Sequence, residues 1–183
     1  YAATADESFI ETVSGDRFYK SAPRFDVPSM AHAMSNMCRF TGHCRFFYSV
    51  LEHSLLVADL MELFGWGDPR EGLLHDGSEA FLADIASPWK RELPDYKRME
   101  HALDVKLRAH FNLPQTMTPE CKHADTVALM IEAFILLPSR GEIFDPEYRT
   151  PAVLADMERA MAHHRSAEWV RGCAPGTTRF FLR

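Results

Sequence analysis

Residues 49–64 read Ser-Val-Leu-Glu-His-Ser-Leu-Leu-Val-Ala-Asp-Leu-Met-Glu-Leu-Phe, with Val50, Leu51, Leu55, Val57, Ala58, Leu60, Met61 and Phe64 apolar at helical spacing. Gly65 and Gly67 then stop the pattern. An apolar surface this broad belongs to a largely buried helix, so the rest of the chain has to supply elements that cover it. His53 projects from this run, a polar side chain carried by a core helix.

The remaining punctuation is also helical. Met30, Ala33, Met34 and Met37 form an apolar stripe after Pro28 and predict a first helix. Asp68-Pro69 has the chemistry of a helix start, with a carboxylate N-cap and Pro at the first position, and predicts a helix over residues 69–80. Pro88 and Pro94 bracket a short turn at Trp89-Lys90-Arg91, and residues 96–111 return to helical periodicity through Met99, Leu103, Leu107 and Ala109. Thr118-Pro119 starts a helix that passes Asp125 and ends before Pro138, and another runs over residues 151–164. Residues 1–28 read as irregular, with a short strand pair or turn over residues 13–19. The expected fold is an all-α bundle of about six to eight helices. At 183 residues with 46% hydrophobic content and no compositional shift, a single domain over residues 1–183 is expected.

Several function classes lose support on composition. The net charge of -6 and the absence of a Lys/Arg block argue against a nucleic-acid polymer as ligand and favour small molecules. The longest apolar runs are far short of a membrane span, and the first residues carry acids rather than a basic signal, so a cytoplasmic protein with no membrane partner is expected. Cys38, Cys44, Cys121 and Cys173 have no metal-ligand spacing and read as reduced thiols.

The chemistry concentrates at His75-Asp76, set in Gly72-Leu73-Leu74-His75-Asp76-Gly77-Ser78-Glu79. An imidazole and a carboxylate in an apolar stretch lose hydration that a cation can replace, and together they offer nitrogen and oxygen ligands to first-row divalent metals. His53 upstream and Asp125 downstream are likewise polar residues within helical apolar patterns, which gives two His and two Asp in the order H…HD…D. Neither an HExxH nor a CxxC pair occurs. Glu79 follows His75 by four residues and, on a continuous helix, would share its face.

This order resembles the HD-domain metal-dependent phosphohydrolases, and within them the small 5'-deoxynucleotidase-like branch. The likeness runs over about residues 16–138, with its clearest points at residues 39–54, at the HD pair and at residues 76–90. It implies a helical bundle around one divalent ion, Mn, Co, Ni, Fe, Zn or Mg, held by His53, His75, Asp76 and Asp125. It further implies hydrolysis of a nucleotide phosphate by metal-activated water, with Glu79 and Asp84 as the acid/base pair. Arg39 matches the position that holds the substrate phosphate, Phe40 the aromatic beside sugar or base, and His43, Arg45 and Lys90 are candidate further contacts. The substrate implied is a (deoxy)nucleoside 5'-monophosphate; the alternatives are triphosphohydrolysis of a deoxynucleoside triphosphate and a non-catalytic nucleotide-sensing module. A homodimer is compatible with the resemblance, and residues 139–183 form a C-terminal helical extension whose role stays open between capping the bundle, covering the pocket and contacting another subunit.

Each residue also has a plainer reading. His53 and Asp125 taken singly read as hydrogen-bonded core residues, Glu79 as a solvated helical acid, Asp84 as a helix cap before Pro88, and Arg39, Arg45 and Lys90 as surface cations.

Overall fold

A computed structural model of the chain describes residues 8–163. A two-stranded antiparallel hairpin, β1 (Phe9–Glu11) and β2 (Arg17–Tyr19), pairs Ile10 with Phe18. The helices that follow are α1 (Val27–Ser35), α2 (Val50–Phe64), α3 (Pro69–Leu74) and α4 (Glu79–Leu82). After them come α5 (Ser87–Arg91), α6 (Pro94–His110), α7 (Pro119–Leu136) and α8 (Pro151–Ala162). Short 3-10 turns cover Arg39–Gly42 and Pro146–Tyr148.

α2 is the axis of the bundle. Ser49 caps it by accepting the Glu52 amide, while the Glu52 carboxylate takes the Ser49 amide at 2.6 Å, so two otherwise orphaned donors are satisfied reciprocally. Gly65 closes the other end in the left-handed conformation that a glycine reaches without a Cβ penalty. Leu56, Val57, Leu60 and Met61 are fully buried against Ala124, Val127, Ala128 and Ile131 of α7. Each such aliphatic side chain contributes roughly 1.5–3 kcal/mol of burial. α3 lies closely on α2 because Gly72 has no side chain: a Cβ there would stand 2.8 Å from Met61 Sδ and 3.0 Å from the Ala58 amide nitrogen. α8 covers α7, and α1 packs on α2 and α4 with Met30 and Met34 buried. Phe18 of the hairpin stacks on Phe81 of α4 at 3.6 Å between ring centroids.

The segment that carries the HD pair departs from the expected continuous helix. Asp68 caps α3 and Pro69 opens it, but α3 ends at Leu74. The chain then tightens into i→i+3 bonds, from the Gly77 amide to the Leu74 carbonyl and from the Glu79 amide to the Asp76 carbonyl. Gly77 permits this: a Cβ would meet Leu107 Cδ1 at 2.8 Å, Met30 Cε at 2.9 Å and the Leu74 carbonyl at 3.0 Å. His75 and Asp76 therefore lie in a compact turn wedged among α1, α2 and α6. Two smaller differences follow from local chemistry. The strand pair reaches back to Phe9, and Trp89-Lys90-Arg91 is part of a five-residue helix with Pro88 in its first turn.

A buried ionic knot fixes the start of α3. Glu71 Oε1 is 2.9 Å from Arg108 Nη1 and accepts the Thr118 amide, also at 2.9 Å, while its Oε2 accepts the Thr118 hydroxyl at 2.6 Å. Arg108 Nε donates to Asp104 Oδ2 at 2.8 Å. One carboxylate thus ties α3 to α6 and to the cap of α7.

Candidate metal centre and its cavity

Four side chains from α2, the HD turn and α7 meet in the bundle. Nδ1 of His75 donates to the Gly72 carbonyl at 2.7 Å, and Nδ1 of His53 lies 2.7 Å from Glu132 Oε1. Both partners are acceptors, so each ring presents Nε2 to the interior, and the two Nε2 atoms stand 3.2 Å apart. Asp125 Oδ1 is 3.2 Å from His53 Nε2 and 3.9 Å from His75 Nε2. Asp76 Oδ2 is 3.1 Å from His75 Nε2 and 3.6 Å from His53 Nε2.

Two imidazole lone pairs facing each other beside two carboxylates repel unless a positive charge stands among them. The electrostatics of the site say the same. Burial alone would depress the His75 pKa, yet Asp76 and Asp125 raise it to about 9. Burial opposes the charge on Asp76 and Asp125, yet the two histidines hold both carboxyls well below their usual range. His53, His75 and Asp125 each offer a ligand atom within 4.8 Å of the others, and this buried group could hold a metal ion. Nitrogen from two histidines with carboxylate oxygen suits the first-row divalent metals, and each histidine has the outer hydrogen bond that orients a ligating ring.

The carboxylates beside the two histidines stand on the wall of a cavity of about 490 Å³. Asp76 and Asp125 line it together with Arg39, Phe40, Glu79, Asp84 and Lys90. Arg39 enters from the 3-10 turn, where Phe40 and Thr41 both hold φ of +53° and Gly42 follows at +81°. Left-handed backbone at two non-glycine residues costs on the order of 1–3 kcal/mol each and is kept only where the surroundings impose it. Here the surroundings are a bridge between Cys38 and Ser49 and a bond from the Arg39 amide to the Tyr48 carbonyl at 2.8 Å. Arg39 Nη2 lies 3.1 Å from Glu132 Oε2, Nη1 lies 4.0 Å from Asp76 Oδ2, and the buried Nε has no partner among the described residues.

Glu79 and Asp84 line the same space, and because the helix breaks after Leu74 Glu79 does not follow His75 along one continuous helix face. Glu79 is buried, its Oε2 has no partner among the described residues, and its Oε1 is 3.5 Å from Lys90 Nζ. Burial and the charges of Asp76 and Asp84 push its pKa up to about 9 against the pull of Lys90 and Arg39. Asp84 is raised as well, chiefly by burial. It follows Ala83, whose φ of 68° and ψ of 158° lie in a region normally left to glycine; the Tyr96 hydroxyl anchors that residue by donating to its carbonyl at 2.6 Å.

No family model matches the chain. Over 129 residues, 68% of this chain and 70% of the relative, it is 42% identical to the uncharacterized protein YfdR of Escherichia coli (strain K12). The chain belongs to the YfdR family. It is also 32% identical over 122 residues to an uncharacterized protein of Rhodobacter capsulatus, a match that covers 59% of this chain and 61% of that relative. Among the described residues of this YfdR-family chain, no helix is long and apolar enough to cross a membrane.

Not every sequence candidate reaches the cavity. His43 and Arg45 are exposed and do not line it, because the chain turns outward after Gly42 and the Arg45 amide bonds to the Leu136 carbonyl at 3.0 Å. Lys90 does line it, held 2.6 Å from Glu100 Oε1. Other participants went unseen in the sequence. Ile143, Phe144 and Tyr148 form an apolar wall with Ile85 and Leu129, so part of the extension covers the pocket; residues 164–183 lie outside the described residues. Glu132, fully buried, touches both His53 and Arg39. Its signal was available: it is a lone acid in the apolar run over residues 127–137, two helical turns from Asp125 and on the same face.

Proposed function

We propose that the chain is a metal-dependent phosphohydrolase of the HD-domain type that removes the phosphate of a (deoxy)nucleoside 5'-monophosphate. One observation carries the reading: the His53, His75, Asp76 and Asp125 ligand atoms converge where Asp76 and Asp125 line a cavity whose wall also includes Arg39, Glu79 and Asp84. His53, His75, Asp76 and Asp125 would hold the ion. A divalent ion in such a set supplies charge withdrawal from a phosphoryl oxygen and acidification of water. Arg39 binds the phosphate through its planar fork, whose Nε and Nη1 are not committed to Glu132. Glu79, whose carboxyl is pushed up to about 9 by burial and the charges of Asp76 and Asp84, holds a proton in the metal-free protein; beside the charge of a bound ion it would give that proton up and stand as a base for the attacking water. Asp84, also raised, returns a proton at the leaving oxygen. Phe40, Phe144 and Tyr148 offer aromatic surface to the nucleoside.

Arg91 on the cavity wall, with Lys122 whose ammonium lies 2.8 Å from Asp125 Oδ2, favours, as a second reading, a longer phosphate chain and triphosphohydrolysis. The test is phosphate release from deoxy- and ribonucleoside mono- and triphosphates, using metal-stripped protein reloaded with Mn, Co, Ni, Zn or Mg. Monophosphate turnover that disappears in Asp76→Ala supports the first reading, and tripolyphosphate as product moves the second to first place. Nucleotide binding without turnover under any metal would sink both and favour a sensor.

A further inference from the structure

We infer that Glu132 is a positioning residue that makes one unit of the metal group and the phosphate-binding arginine. The inference rests on the proposed role of Arg39. Glu132 has no solvent exposure, and its two oxygens are divided between two clients: Oε1 at 2.7 Å from His53 Nδ1, and Oε2 at 3.1 Å from Arg39 Nη2. A buried carboxylate is unfavourable without such partners, and its neighbours on α7, Ile131 and Ala133, are core residues for which an apolar side chain would serve as well. Packing therefore does not account for an acid here, whereas the two contacts do.

Each contact acts through its client. A carboxylate on Nδ1 fixes the His53 tautomer and raises the basicity of Nε2, the atom that faces the metal group. Arg39 stands at the start of a turn with left-handed backbone at Phe40 and Thr41, so no regular helix sets the direction of its side chain. The bond from Nη2 to Glu132 supplies that direction on the cavity wall and leaves Nη1 4.0 Å from Asp76 Oδ2 and Nε without a partner among the described residues. Because both bonds belong to one carboxylate, its loss weakens metal and phosphate binding together.

A double-mutant cycle reads this without turnover. The full chain and its Glu132→Gln, Arg39→Ala and doubly substituted forms are compared for Co2+ affinity, by competition with a chromogenic chelator. Binding of inorganic phosphate at saturating Co2+ is followed by calorimetry. Glu132→Gln is expected to weaken Co2+ by about 10–100-fold and phosphate by about tenfold. Arg39→Ala should cost phosphate affinity while moving Co2+ by less than about threefold, and adding Glu132→Gln to it should cost no further phosphate affinity. Wild-type phosphate affinity in Glu132→Gln, or a loss that adds in full to that of Arg39→Ala, would overturn the inference. Should Glu132→Gln not fold, Glu132→Asp keeps the charge but shortens the reach; it is expected to lose at least one affinity by about tenfold, and retention of both overturns the link. A wild-type protein that binds no phosphate would remove the reading of Arg39, and the inference with it.

Discussion

The bundle contains two buried ionic clusters that touch the same short helix yet are built on opposite principles. Around Glu71 the protein closes the central hydrogen bonds: both carboxylate oxygens are engaged, by Arg108 and by the amide and hydroxyl of Thr118, and in the flanking Asp104 only Oδ1 is buried without a partner among the described residues. Around His75 it does not. Two Nε2 atoms face each other, Asp76 and Asp125 crowd them, and Arg39 Nε and Glu79 Oε2 are buried without partners among the described residues. A cluster whose central groups satisfy one another holds the fold, while one that gathers crowded ligand atoms beside a cavity is held by the fold for something else to complete.

The sharpest way to break this comparison is to exchange the consequences. Asp125→Asn keeps the shape of a side chain in the open cluster and removes one charged ligand. Metal-dependent phosphate release should fall by at least about 10³-fold, whereas the melting temperature of the metal-free protein should drop by only about 2–4 °C, because the ion pairs lost to His53 and Lys122 are partly offset by relief of the crowding with Asp76. Kinetics on reloaded protein and melting of stripped protein check the two halves. A large loss of stability in the stripped form would place Asp125 with the structural cluster.

In the closed cluster the expectation is reversed. Glu71→Ala leaves Arg108 buried beside Asp104 and strips the α7 cap of its acceptor, a change of the kind that costs about 3–5 kcal/mol. For a chain of this size that lowers the melting temperature by roughly 10 °C. Metal affinity of the fraction still folded should stay within about threefold, since Glu71 has no hydrogen bond to any candidate ligand. Urea unfolding together with chelator competition separates the two quantities.

How much of this contrast could be read from the chain follows from what each residue's signal depends on. His53, His75, Asp76 and Asp125 stood out because a polar ligand type in a helical apolar pattern is visible locally, and the helix starts at Asp68 and Thr118 are local as well. The Glu71 knot was not legible, since Glu71 in Pro69-Arg70-Glu71 looks like any first-turn acid and its partners lie 37 and 47 residues away. The break after Leu74 was hidden for a related reason: it depends on Gly77 meeting Leu107 and Met30, contacts that no periodicity announces. Arg39 came into view through family resemblance alone, because the left-handed backbone of Phe40 and Thr41 is imposed by tertiary bonds against local preference. His43 and Arg45 stand off the cavity wall for that reason too: a run of cations near Arg39 in sequence is turned outward by the same backbone.

The open cluster should also betray itself through pH. In metal-free protein His75 keeps its proton up to about pH 9, against about 6.5 in the unfolded chain, so its contribution is fully present below pH 6.5 and is lost as pH rises toward 9. Glu79 acts in the same direction, since its folded pKa is raised from 4.5 to about 9 and the native state holds a proton that the unfolded chain releases. Stripped protein should therefore lose at least about 2 kcal/mol between pH 6.5 and 9, or roughly 4–8 °C in melting temperature. Saturation with Zn2+ or Co2+ should flatten the curve, because the ion takes the place of the proton between the rings. A stripped protein with a level profile over this range would mean that the cluster carries no unmet demand for positive charge.

The smallest expected effect concerns the surface on which the two clusters share a support. α3 carries Glu71 in its first turn and delivers His75 at its end, and it lies against α2 through Gly72. Gly72→Ala places a methyl carbon 3.0 Å from the Ala58 amide nitrogen and 3.1 Å from its Cα, backbone atoms that cannot swing aside as Met61 can. The helices must part by a few tenths of an ångström, at a cost of about 1–3 kcal/mol. Because Glu71 is anchored to α6 and α7, the displacement should appear at the free end of α3, where His75 faces His53. Co2+ affinity is then expected to fall about threefold to tenfold, a larger change than Glu71→Ala produces in the folded fraction. The reverse ranking would show that the closed cluster, and not the helix contact, sets the spacing of the two imidazoles.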